Sequence, residues 1–144
     1  MKKQLVLAAT MSLFVMNIAM ASTMQSLTQQ QLKSQLSDKT ITTIPIVTMN
    51  GHLVSNSLTA YLSKDGKLTG QFSSKPENDP ISDIGKWTVD SKGTFCATWD
   101  HWNKSKPICV VFYKVENSLI IINHVTKKLE TIVLNENIKT GNQV

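Results

Sequence analysis

Residues 85–134 read GKWTVDSKGTFCATWDHWNKSKPICVVFYKVENSLIIINHVTKKLETIVL, and their pattern decides the fold class. Short runs rich in β-branched and aromatic residues, at 87–89, 94–99, 108–115, 119–125 and 129–134, are separated by turn-forming stretches at 90–93, 100–107, 116–118 and 126–128. That spacing predicts consecutive antiparallel strands rather than helices or crossover units. In Ile120-Ile121-Ile122 the alternation lapses, which predicts a strand buried on both faces or lying at the centre of a sheet.

Working outward, Thr40–Ile44 and Ile46–Met49 read as a strand interrupted at Pro45, which cannot donate to a ladder. Asn50-Gly51 is a strong hairpin signal. His52–Leu62 is expected to continue as one strand, with Lys64–Lys67 turning it into Leu68–Phe72. Ser73–Gly85, which holds Pro76, Asn78, Asp79, Pro80 and Gly85, reads as a surface loop, and the polar tail from Asn135 reads as a fraying end. Ahead of the strands, Thr28 is placed as an N-cap, Gln31 completes a capping box, and Leu27 can staple to Leu32, so a short helix is expected at about 28–37. Leu32 and Leu36 share one face, which suits a plug or lid on the sheet. The whole predicts a mainly β fold: a small antiparallel barrel or strongly curved sheet of about seven to eight strands with one N-terminal helix, a two-sheet sandwich being the alternative.

Residues 1–21 read as a secretory signal peptide. Lys2 and Lys3 precede an apolar stretch from Leu5 to Ala19, and Ala19-Met20-Ala21 presents small residues for cleavage before Ser22. The stretch is shorter than the ~20 apolar residues of a membrane span, so no span is expected in the mature chain. Residues 22–144 are then expected to form a single domain that is periplasmic or secreted. Removing Lys2 and Lys3 from the 15 cationic residues leaves 13 against 10 acidic ones, a mature net charge of +3. Every cation is Lys; without the bidentate fork of Arg, nucleic-acid reading is not expected.

Cys96 and Cys109 are the two cysteines, and an exported chain meets an oxidising compartment where such a pair closes into a disulfide. Metal binding is the weaker alternative, because no second Cys pair or His pair stands at ligand spacing.

The order Gly85-x-Trp87, a turn, Cys96-x-x-Trp99 and then Cys109 leading into an aromatic strand resembles a family of small secreted bacterial domains whose function is not assigned. Tyr61 and the Asp65-Gly66 turn match that pattern too, and the likeness spans about residues 58–123. The resemblance implies a Cys96–Cys109 disulfide and a barrel-like fold, and it carries over no catalytic residues. The bridge would pin two neighbouring strands, with Trp87 and Trp99 supplying buried area around it.

The stretch between the cysteines is the candidate binding loop: Asp100, His101, Trp102, Asn103, Lys104 and Lys106. A tethered loop with an exposed Trp has little entropy left to lose on binding. In the plainer reading, Trp102 packs back onto the barrel end. His52, His101 and His124 stand apart, so neither a metal site nor any cofactor is expected, and no Gly-x-Ser-x-Gly elbow supports a hydrolase. The acidic residues lie mainly in turns, where solvation is their expected role.

These features lead to a non-enzymatic, exported bacterial binding or interaction protein. Its partner would be another protein, an envelope component or a host molecule, and an inhibitor of a cell-wall hydrolase is one version. The second reading is a barrel carrier of a small apolar ligand, which a large internal cavity would favour; the third is a small hydrolase using His101 or His52.

Overall fold

A computed structural model describes residues 24–144; the expected leader and its cleavage site lie outside the described residues. The elements run β1 (Gln25–Ser26), α1 (Gln29–Leu36), β2 (Lys39–Thr43), β3 (Val47–Met49), β4 (His52–Val54), β5 (Leu58–Leu62), β6 (Lys67–Phe72), β7 (Ser82–Val89), β8 (Phe95–Trp99), a single helical turn at Trp102–Ser105, β9 (Ile108–Val115), β10 (Ser118–Asn123) and β11 (Leu129–Thr140). Every pairing is antiparallel. Strands β2, β5, β6, β7, β8, β9, β10 and β11 pair in that order and close through β11 on β2, giving an eight-stranded meander barrel with one α-helix. Closure leaves no long edge open to other chains.

Alternation sorts the side chains. Phe95, Ala97 and Trp99 of β8 and Val110 and Phe112 of β9 point inward, whereas Cys96 and Cys109 sit on the outer face. The disulfide between them therefore joins directly opposed residues across the outside of the β8–β9 joint, with Cα atoms 4.1 Å apart. Trp87 and Trp99 are buried, but on the opposite face, so they pack the interior rather than surround the bridge. β10 also alternates: Leu119 and Ile121 are buried while Ile120 and Ile122 lie half-exposed outside, so the unbroken apolar run reflects an apolar outer face and not a doubly buried strand.

The hairpin signal at Asn50-Gly51 is met, with φ of 50° and 82° at the two turn residues. The strand expected over 52–62 is instead broken. Buried Asn56 makes the corner between β4 and β5, its amide donating to the Ser74 carbonyl and its carbonyl oxygen accepting from the Ser57 and Ser74 N–H groups. The loop expected through Gly85 ends sooner, because β7 begins at Ser82. Gly85 is needed inside that strand: a Cβ there would lie 2.2 Å from the Thr98 carbonyl oxygen of β8.

The tail does not fray. β11 runs on to Thr140 and closes the barrel by pairing Ile138, Lys139 and Thr140 with Ile41, Thr40 and Lys39. Thr40 Oγ1 donates to the Gly141 carbonyl at 2.6 Å and accepts from Gln143 N–H at 3.0 Å. The segment is polar because its ladder uses backbone groups and several of its side chains face solvent. Deleting residues 136–144 is therefore expected to abolish cooperative thermal unfolding, followed by circular dichroism, whereas a fraying tail would leave the transition in place.

Among the barrel joints, β8–β9 is the shortest ladder, pairing Phe95–Ala97 with Val110–Ile108; β1 covers the rest of the β9 edge at Tyr113 and Lys114. On the chain-entropy model a bridge closing a loop of this size stabilises by about 3 kcal/mol. The double change Cys96→Ala and Cys109→Ala is expected to lower unfolding free energy by about 3 kcal/mol, measured by chemical denaturation, with amide exchange rising first along β8 and β9.

Candidate functional site at the barrel mouth

The two ends of the barrel are closed differently. At one, α1 acts as a stopper: Thr28 Oγ1 accepts from Gln31 N–H, Gln31 Oε1 accepts from Thr28 N–H, and Leu27, Leu32 and Leu36 join the barrel core. Gln29 Nε2 donates to the Val89 carbonyl and ties the helix to the end of β7. The other end, the mouth, is bordered by the 73–81 and 100–107 loops, the β10–β11 turn and the β3–β4 hairpin.

The 100–107 loop is held by one buried carboxylate. Asp83, whose side chain is 1% exposed, accepts hydrogen bonds from the N–H groups of Ile84, His101 and Trp102, and its Oδ1 lies 2.9 Å from His101 Nδ1. Trp102 packs back into the barrel: its ring centroid lies 4.5 Å from Phe72 and 4.6 Å from Trp99, and its indole N–H donates to the Pro80 carbonyl. Of the two readings of this side chain, the plainer one holds: Trp102 is only 5% exposed. Asp100, His101, Lys104 and Lys106 remain at the surface and Asn103 is half-buried.

Asn103, Lys104 and Ser105 all adopt left-handed backbone, with φ of 54°, 55° and 58°. Such geometry costs roughly 1–2 kcal/mol per non-glycine residue, and the Asp83 clamp, the Ser105 Oγ bond to the Asp100 carbonyl and the Asn103 amide bond to the Lys106 carbonyl hold it in place.

The histidines do not converge. His52 lies on the hairpin and His124 follows β10, while His101 meets Asp83. Ser82 and Thr69 border the same shallow depression as His101, yet among the described residues no hydroxyl hydrogen-bonds its ring. The pair thus resembles the orienting half of a catalytic triad without a positioned nucleophile. Among the described residues no group of three His, Cys, Asp or Glu side chains could hold a metal ion.

Inside the barrel the packing is uneven. Trp99 and Trp102 lie over Gly70, where a Cβ would stand 2.6 Å from the Trp99 ring, and fill that side. Beside them, small Ala60, the ladder partner of Gly70, and small Ala97, two residues before Trp99, border an apolar cavity of about 130 Å3, also bounded by Trp99, Leu62, Phe95 and Val110. A second space of about 90 Å3 lies towards the mouth beneath Met49, Phe72 and Trp102. Val47 and Thr48 of β3 border both, so the hairpin is the lid over the interior. Outside it runs a groove of about 950 Å3 between Leu53 on the hairpin and Val125 on the β10–β11 turn.

Comparisons with protein-family models, with curated proteins and with solved structures find no match to this chain.

Reading the residues alone misses the two carboxylates that matter to this end of the molecule. Asp83 falls in a stretch dense with loop formers, and only its three backbone donors from distant or adjacent residues reveal it as a clamp. Glu130 falls in a strand-like run, but Ile121 pairs with Thr131 and Ile122 with Leu129, so a bulge that leaves no compositional trace skips Glu130, which borders both the cavity and the groove.

Burial pushes the Asp83 carboxyl up, but hydrogen bonds from Trp102, the His101 ring, the His101 N–H and the Ile84 N–H outweigh it, and its pKa lies below the ordinary value. The bond to Asp83, aided by its negative charge, raises His101. Asp83 therefore stabilises the fold above the ordinary carboxylate value of 3.8 and loses that effect as pH falls through its lower folded value. His101 contributes below its ordinary 6.5 and loses its contribution as pH rises through its raised value. Asp83→Asn is expected to cost about 2–4 kcal/mol by leaving buried donors unmatched. Its deficit against wild type, measured by denaturation across pH, should be widest between about pH 4 and 6.5 and narrow on either side.

Proposed function

We propose that the protein is an exported binding protein whose barrel interior takes up one small apolar ligand. The observation that carries this reading is the apolar cavity of about 130 Å3 beneath the β3–β4 lid. An eight-stranded barrel is just wide enough either to fill with side chains or to hold one small ligand. A dry engineered cavity of ~150 Å3 lined by apolar side chains binds benzene, so the space here suits a molecule of that order. The hairpin supplies a route: its own ladder is three residues long on each strand, and it borders the interior on one side and the outer groove on the other. Export is supported by the leader-like pattern of residues 1–21, and the disulfide is compatible with it. No described helix is long and apolar enough to cross a membrane.

A second reading, a module that docks on another protein or an envelope component, is favoured by a different observation. Val111 and Tyr113 of β9, Ile120 and Ile122 of β10 and Ile132 of β11 form a half-exposed apolar outer face where a barrel surface ordinarily turns polar.

The test is titration of the full chain, recovered after expression with its leader, with toluene while tryptophan emission is followed, because Trp99 lines the cavity. A saturable change is expected. Ala97→Leu, which fills the cavity, should remove it while leaving the melting temperature level or higher. No saturable response in the wild type, together with a destabilised Ala97→Leu, would mean a packed core and overturn the carrier reading.

A further inference from the structure

Resting on the reading of the interior as a ligand site, we infer that the ligand is an organic cation, an ammonium group on a small apolar body, with Glu130 as its counter-ion. The argument begins at a defect in the β10–β11 ladder. Ile121 faces Thr131 and Ile122 faces Leu129, so Glu130 stands between them with no partner across the ladder. A bulge of this kind re-aims the side chain of the extra residue. Thr131 and Val133 keep their places in the interior, and Glu130, which strict alternation would turn outward, borders both the apolar cavity and the groove outside it.

The carboxylate is held there. Asn123 Nδ2 donates to Glu130 Oε1 at 2.7 Å, and the Asn123 carbonyl oxygen accepts from Val125 and Thr126 N–H, which fixes the amide so that its NH2 faces Glu130. Among the described residues the ion pairs are Lys67 with Asp65 and His101 with Asp83, so no Lys or His nitrogen lies within 4.0 Å of Glu130. Neither interior space is bordered by a cationic side chain, and the one nearer the mouth adds half-buried Asp79. The remaining walls include the rings of Trp99 and Trp102, whose faces attract a cation as well as an apolar group.

Charge around the rim points the other way, because Lys128 borders the groove and Lys104, Lys106 and Lys127 are close in sequence to it. These side chains are exposed, and physiological salt screens exposed charges beyond about 8 Å. Glu130 borders apolar surface, is only partly open to water, and is screened less. An anion placed in the cavity would face Glu130 without a cation beside it; an ammonium group would find its counter-ion and the aromatic walls together.

Three probes of similar size separate the cases in calorimetric titrations of the full chain at pH 7: toluene, benzylammonium and benzoate. Benzylammonium is expected to bind about tenfold or more tightly than toluene, as a charge-assisted contact with a partly buried carboxylate allows, and benzoate more weakly than either. In Glu130→Gln the ratio of benzylammonium to toluene affinity should fall at least about tenfold. Equal affinities for toluene and benzylammonium, tighter benzoate, or an unchanged ratio in Glu130→Gln would overturn the cation while leaving the apolar-ligand reading standing. Failure of both toluene and benzylammonium to bind would remove the interior site itself, and the cation with it.

Discussion

The Cys96–Cys109 bridge holds the shortest joint of a barrel whose other joints are longer ladders. A meander of eight strands gains from closure because its edges vanish, but closure must hold at every joint, and β8 meets β9 over three residues only. The bridge lies on the outer face of that joint, opposite the interior positions of Phe95 and Ala97. The covalent tie and the core thus occupy different faces of the same strands. Ala97 can stay small, and the cavity beside it can stay open, because the joint does not depend on a large side chain at that point.

The mouth shows a related division of roles. Trp102, the most conspicuous residue of the inter-cysteine loop, is part of the wall: its ring packs at a tilt against Phe72 and Trp99 and lies with Trp99 over Gly70, and the residue is held by Asp83 through the backbone. The left-handed residues that follow it are tolerated because the loop is fixed before and after them. The hairpin is tied less heavily. Thr48 Oγ1 donates to the Leu129 carbonyl and Thr131 Oγ1 to the Ile46 carbonyl, while its tip carries exposed Leu53.

Much of this was legible in the residues. The capping box at Thr28 and Gln31, the Asn50-Gly51 turn and the strand-like runs from Phe95 to Val133 act through neighbours in sequence, where local propensity and pattern decide. The inside and outside of Ile120–Ile122 were not legible there. The pairing of Cys96 with Cys109 was legible because the sequence holds two cysteines and opens on a stretch that reads as a leader. The errors have a common origin. Asn135–Thr140 lacks apolar alternation because it closes the barrel through backbone pairing. Ser82 and Asp83 are poor strand formers, yet they open β7 because Asp83 is matched by donors from the loop across the mouth.

What the amino-acid sequence determined by itself is the class of fold, the order of its strands and turns, the helix ahead of them and the covalent staple, since each follows from local propensity or from residue count. Only the tertiary structure decided that the strands close into a barrel rather than a sandwich, that Trp102 faces inward, and that a bulge turns Glu130 towards an apolar cavity. Those outcomes depend on which strands meet and in what register. A one-residue shift in a ladder moves a side chain from one face to the other without changing a letter of the sequence.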